Sequence, residues 1–136
     1  MTAQLRPSIF PALRYRDADA AVAFLTDAFG AREKAVYRGE DGAIQHAELA
    51  LGNGLVMLGQ YAEAGWLGGE SPRPLAGTVS IYVVIDDPDA HHATAAAAGA
   101  TIVRPLQDTD YGSREYSARD IEGNLWSFGT YDPYVT

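Results

Sequence analysis

The chain has 136 residues, 47% hydrophobic and 21% charged, which suits one domain (residues 1–136) and excludes intrinsic disorder. It contains no cysteine, which excludes disulfides, thiolate nucleophiles, zinc–thiolate sites and iron–sulfur clusters. Eighteen acidic residues oppose ten basic ones, nine of them arginine; the net charge of −8 argues against nucleic acid and anionic membrane as partners and tolerates a cationic small molecule.

The first apolar run, Ser8 to Tyr15, reads as a strand. A helix follows, capped by Asp17, striped by Ala18, Ala21, Val22, Leu25, Ala28 and Phe29, and stopped by Gly30. Strands are expected at Glu33–Arg38, Ala43–Leu51 and Leu55–Gly59, joined by turns at Glu40-Asp41-Gly42 and Gly52-Asn53-Gly54. Residues 60–76 are rich in Gly and Pro and read as a linker or flap. Thr78 to Ile85 is the next strand, and a second helix starts at Asp87-Pro88 and closes at Gly99. This helix is alanine-rich, so it buries little area per residue. Thr101–Leu106, Arg114–Arg119 and Leu125–Tyr131 complete the strands. No segment approaches the ~18 apolar residues of a membrane span, and Met1 to Pro7 has no signal-peptide run, so a cytoplasmic protein is expected.

The order repeats. Asp17-Ala18-Asp19-Ala20 returns as Asp87-Pro88-Asp89-Ala90, Phe29-Gly30-Ala31 as Ala98-Gly99-Ala100, and Leu55 and Gly59 map to Leu125 and Gly129, all at offsets of about 70. Each half reads β-α-β-β-β: module 1 over about 8–59, module 2 over about 77–131. A single helix is expected to cover one face of each sheet, and the other faces to line a cleft.

These paired modules resemble the glyoxalase/bleomycin-resistance (vicinal oxygen chelate) superfamily. The resemblance rests on Leu13 to Ala18 before a helix ending Ala28-Phe29-Gly30-Ala31, on His46-Ala47-Glu48-Leu49, on Tyr111-Gly112-Ser113-Arg114, and on Asp120 to Trp126. It covers roughly Ile9 to Tyr131, with Ile121 where the family usually has proline. It implies an α+β fold of two tandem β-α-β-β-β modules forming a curved sheet around a cleft, and a homodimer. The family's metal enzymes bind one divalent ion with side chains from the first and last strand of each module. Carried over, those positions are Phe10 and Met57, then Ser80 and Ser127, and none is His, Asp or Glu. Phenylalanine and thioether do not serve a hard or borderline divalent ion, so no metal and no cofactor are expected.

His91 and His92 are adjacent on a helix, diverge by about 100° and read as solvated residues. His46 and Glu48 lie two apart on a strand and share a face, as a ligand-binding or proton-moving pair would. Arg114, leading out of the Tyr111 loop, is a candidate for holding a carboxylate or phosphate, or else ties the loop to a nearby acid. Tyr61 and Trp66 supply aromatic bulk around the Gly/Pro-rich segment, Tyr111 and Tyr116 flank the second-module loop, and Trp126 alternates away from Ser127 into the core. No nucleophile elbow, phosphate loop or dinucleotide fingerprint occurs.

The sequence therefore points to a metal-independent small-molecule binding protein of the bleomycin-resistance type, acting by antibiotic sequestration with no bond broken. Its ligand-contacting set is Phe10, His46, Glu48, Met57, Tyr61, Trp66, Ser80, Tyr111, Arg114, Tyr116 and Ser127. The alternative is a metal-dependent glyoxalase-like lyase or isomerase, or a dioxygenase.

Overall fold

The computed structural model describes residues 7–62 and 79–135; Trp66 and most of the expected flap lie outside them. Ten elements follow in chain order: β1 (Ala12–Tyr15), α1 (Ala18–Phe29), β2 (Arg32–Arg38), β3 (Ile44–Leu51), β4 (Gly54–Gln60), β5 (Ser80–Val84), α2 (Pro88–Ala97), β6 (Thr101–Asp108), β7 (Arg114–Arg119) and β8 (Leu125–Gly129). They form two open four-stranded sheets, ordered β1-β4-β3-β2 and β5-β8-β7-β6. In both, the first strand of the module runs parallel to the last and the remaining pairs are antiparallel. The fold is thus α+β with tandem β-α-β-β-β connectivity.

Local chemistry accounts for the element ends. Asp17 and Asp87 each accept a hydrogen bond from the backbone N–H three residues on, Ala20 at 3.0 Å and Ala90 at 3.1 Å, so both helices begin on a carboxylate cap. Gly30 and Gly99, at φ of +78° and +97°, end them in the left-handed region where a Cβ is costly. β1 is shorter than the expected Ser8–Tyr15 strand. Pro11 has no N–H to donate, though its carbonyl accepts from Met57 N at 2.9 Å.

The chain divides into two compact units, residues 1–22 with 31–74, and residues 23–30 with 75–136. The division falls inside α1. In the first unit, Ala47, Leu49 and Leu51 alternate as buried residues along β3, while His46, Glu48 and Ala50 occupy the opposite face. Gln60 closes the start of α1, accepting from Ala18 N at 2.9 Å.

The second unit corrects the expectation of one helix per sheet. Phe29, at the end of α1, lies against this unit's sheet, with ring centroids 4.8 Å from Phe128 and 5.4 Å from Trp126. The reason is size. The alanine-rich α2 buries only Pro88 and Ala95, too little to cover Trp126, Phe128 and Tyr116, each fully buried. His91 is likewise not a solvated residue. It is half-buried, with its ring 4.3 Å from Phe128, hydrogen-bonded through Nε2 to the Phe29 carbonyl at 3.1 Å and through Nδ1 to the Tyr116 hydroxyl. Because a carbonyl only accepts, Nε2 carries the proton and Nδ1 accepts from Tyr116. Burial pushes the His91 imidazole below its ordinary value, partly opposed by the Phe29 carbonyl. The same burial pushes the Tyr116 hydroxyl well above the ordinary tyrosine range.

Candidate functional site

Strand pairing decides which side chains share a face. In the second unit Tyr82 pairs with Ser127, Ser127 with Ser117, and Ser117 with Arg104, giving one row across four strands. The adjacent row places Gly129 opposite Glu115. These rows occupy the sheet face opposite Phe128 and Tyr116, and they hold a concavity of about 620 Å³. Ser80, Tyr82 and Ser127 line it from β5 and β8, Arg104 and Glu115 from β6 and β7, and Tyr111 and Tyr131 from the flanking loops.

Its polar groups are bonded to one another. Arg104 donates from Nε to Ser117 Oγ at 3.1 Å and from Nη2 to Glu115 Oε1 at 3.1 Å. The same Glu115 oxygen accepts from the Tyr111 hydroxyl at 2.9 Å, and Ser117 Oγ lies 2.7 Å from Ser127 Oγ. The Glu115 side chain is only 5% exposed against 33% for Arg104. Burial raises the Glu115 carboxyl, but hydrogen bonds from Ser113, Tyr111 and Arg104 outweigh it and hold the group below the usual carboxylate range. Bonding to Glu115 raises the Tyr111 hydroxyl, and burial raises that of Tyr82. Tyr82 donates to the Tyr131 carbonyl at 2.8 Å, and the Tyr111 and Tyr131 rings meet edge to face at 5.9 Å.

Gly129 makes room for this arrangement. A Cβ there would stand 2.5 Å from Glu115 Cγ and 2.8 Å from the Tyr82 hydroxyl. Arg104 is aimed by irregular strand geometry. β6 is an edge strand, its register shifts between Ile102 and Arg104 and again between Arg104 and Gln107, and Pro105 sits in the second shift where no N–H is required.

Of the residues expected from sequence, Ser80, Tyr111 and Ser127 come together here. Strand parity separates Tyr116 and Arg114 from them. They alternate with Glu115 on β7 and point to the helix side. Tyr116 is fully buried against His91, and Arg114 bonds Asp89 of α2 and Asp108, each at 3.1 Å. Those carboxylates hold the Arg114 guanidinium above its ordinary value, its hydrogen bonding to Asp89 being the largest cause.

The other expected residues belong to the first unit. His46 Nε2 lies 2.9 Å from Glu48 Oε2, Lys34 donates to Glu48 at 3.3 Å, and Tyr37 stacks on His46 at 6.0 Å. Met57 pairs with Glu48 and shares its face. Phe10 precedes β1 and is 40% exposed. Tyr61 follows β4, donates its backbone N–H to the Tyr15 carbonyl at 2.8 Å, and has the Arg16 guanidinium 5.9 Å from its ring centre. By register, His46 and Glu48 are the first-module counterparts of Glu115 and Ser117, since Ala47 pairs with Leu58 and Glu48 with Met57.

Tyr82, Arg104, Glu115 and Tyr131 are missing from the sequence-derived set. A signal existed for three of them: Tyr82 lies two residues from Ser80 on one strand, Glu115 two from Ser117, and Arg104 precedes a proline inside a strand pattern.

The positions corresponding to a divalent-metal site do not suit one. The Ser127 hydroxyl is engaged with Ser117, Ser80 is a neutral hydroxyl, and Phe10 and Met57 offer no hard donor. Among the described residues no group of three or more His, Cys, Asp or Glu side chains could hold a metal ion. No described helix is long and apolar enough to cross a membrane.

A family model described as the Glyoxalase/Bleomycin resistance protein/Dioxygenase superfamily matches residues 9–128. An uncharacterised protein of Mycobacterium bovis is 36% identical over 132 residues, covering 95% of this chain and 86% of its own length. Among solved structures, TioX from Micromonospora sp. ML1 is 35% identical over 96% of this chain and 100% of its own, with a TM-score of 0.73. A glyoxalase/bleomycin resistance protein/dioxygenase family enzyme from Burkholderia phytofirmans PsJN shares the fold at 19% identity, over 88% of this chain and 94% of its own, with a TM-score of 0.72.

Proposed function

We propose, for a chain that belongs to the glyoxalase/bleomycin resistance protein/dioxygenase superfamily, metal-independent and stoichiometric binding of a small molecule, as in antibiotic sequestration. The observation that carries this reading is a tyrosine-walled concavity where a metal centre would need acids and imidazoles. Tyr82, Tyr111 and Tyr131 are 38%, 58% and 46% exposed, and apolar area held open to solvent on rigid strands and short loops is what a ligand covers. The polar groups inside are fixed by one another, which lowers the ordering cost of binding. We place the protein in the cytoplasm as a homodimer.

One observation favours a second reading. The His46–Glu48 pair orients an imidazole by a carboxylate, the arrangement a proton-transferring enzyme uses. One set of measurements separates the two. The full chain, expressed with added zinc or nickel, is assayed for bound metal, for calorimetric binding of bleomycin and other aromatic antibiotics, and for turnover of the methylglyoxal–glutathione hemithioacetal. Saturable binding without metal or turnover is expected. Stoichiometric metal with turnover abolished by His46→Ala would establish the enzyme instead.

A further inference from the structure

The hydrogen-bonding groups of the second-unit concavity have a definite polarity. Arg104 has five N–H hydrogens, and two are used, by Ser117 and Glu115. Three make no hydrogen bond among the described residues, on a side chain one-third exposed and lining the concavity. The carboxylate beside it is the reverse: Glu115 is nearly buried, and Arg104, Tyr111 and Ser113 all bond to it. The protons of Tyr82 and Tyr111 go to the Tyr131 carbonyl and to Glu115, so those hydroxyls have none to give a ligand and their rings act as walls. Ser117 Oγ accepts from Arg104 and lies 2.7 Å from Ser127 Oγ, a pair in which either hydroxyl can donate, and Ser127 lines the concavity. The arginine is held in place from two sides before any ligand arrives, which preserves the planar fork that an oxygen acceptor matches.

We propose that this concavity takes a planar aromatic ligand through an acceptor oxygen, a carbonyl or carboxylate, held by the unspent Arg104 N–H groups and the Ser127 hydroxyl, with its ring against Tyr82, Tyr111 and Tyr131. The inference rests on reading the concavity as a small-molecule site, and it opposes the chain's overall charge. Eighteen acids favour a cation at a distance, but the groups that would touch the ligand are donors, and contact chemistry decides discrimination at hydrogen-bonding range.

Three probes sharing one ring system test it on the full chain: 2-naphthoate, neutral 2-naphthamide and cationic 2-naphthylmethylammonium. Affinities are read by calorimetry, and the site by amide shifts in the nitrogen-15-labelled protein. Naphthoate and naphthamide are expected to shift Ser127, Gly129 and Glu115 amides, with the ammonium about tenfold or more weaker. Arg104→Lys, which keeps the charge but loses the fork, should weaken naphthoate by about tenfold. Arg104→Gln combined with Glu115→Gln avoids a buried unpaired carboxylate and should erase the preference for naphthoate in a folded protein. If the ammonium binds at these amides as tightly as naphthoate, or if Arg104→Lys leaves the affinity for naphthoate unchanged, the donor assignment is wrong while small-molecule binding stands. If none of the three binds saturably, both the assignment and the binding reading of this concavity fall.

Discussion

Gly129→Ala tests whether the concave face is as tightly built as its distances say. The glycine is outside the left-handed region, so alanine meets no backbone objection; the cost is purely one of space. The new methyl would stand 2.5 Å from Glu115 Cγ, 2.8 Å from the Tyr82 hydroxyl and 3.1 Å from Glu115 Cδ, where carbon contacts normally settle at about 3.5–4.0 Å. About 1 Å of clearance must therefore be found. The Tyr82 hydroxyl is the end of a partly exposed side chain and can yield, but Glu115 Cγ is mid-chain on a residue pinned by Arg104 and Tyr111. Overpacking of this kind costs about 1–3 kcal/mol, against about 0.4–1 kcal/mol gained by stiffening the unfolded chain, so a net loss of about 1–2 kcal/mol is expected. Urea unfolding should show a lower midpoint at unchanged slope. Glu115→Ala removes the opposing Cγ, so the double variant should be less destabilised than the two singles summed, by about 1 kcal/mol. A Gly129→Ala protein as stable as the parent, or strictly additive singles, would refute the packing argument.

Two further outcomes follow from the helix side of the second sheet. Phe29 is 2% exposed and rings of Phe24, Trp126 and Phe128 surround it at 4.8–5.4 Å, so Phe29→Ala should cost about 3–5 kcal/mol in urea melts, a loss that Phe29→Leu should largely spare. His91 is lowered in the folded state, so the unfolded chain binds the proton first as pH falls. The stability tied to neutral His91 is complete above its unfolded value of about 6.5 and is lost as pH drops through the lower folded value. Melts between about pH 7.5 and 5 should show the parent losing stability more steeply than His91→Asn, and parallel curves would contradict the assignment.

Much of the architecture is written in local signals. Asp17 and Asp87 are caps because a carboxylate at that place satisfies an N–H wherever it occurs. The glycines at positive φ fall into repeat-related pairs, Gly30 with Gly99, Gly42 with Gly112 and Gly52 with Gly123, so the doubled β-α-β-β-β order follows from turn chemistry alone. The candidate site was less legible. Alternation establishes that Glu115 and Ser117 share a face and that Arg114 and Tyr116 share the other, but it does not say which face meets the helices. That choice depends on pairing to β8, where Trp126 and Phe128 must be buried.

A chain without cysteine, with neither acids nor imidazoles at the positions that the family resemblance maps to a metal, has little hard-donor chemistry to offer there. Caps and turns came from the sequence by itself because each depends on residues within a few positions of one another, and the repeat because those local signals recur at an offset of about 70. Only the tertiary structure decided that α1 ends among the aromatics of the second sheet, that His91 joins them, and that Arg104 meets Glu115. Each of those contacts spans 11 residues or more, and its energy comes from burying surfaces or pairing charges that no local pattern brings together.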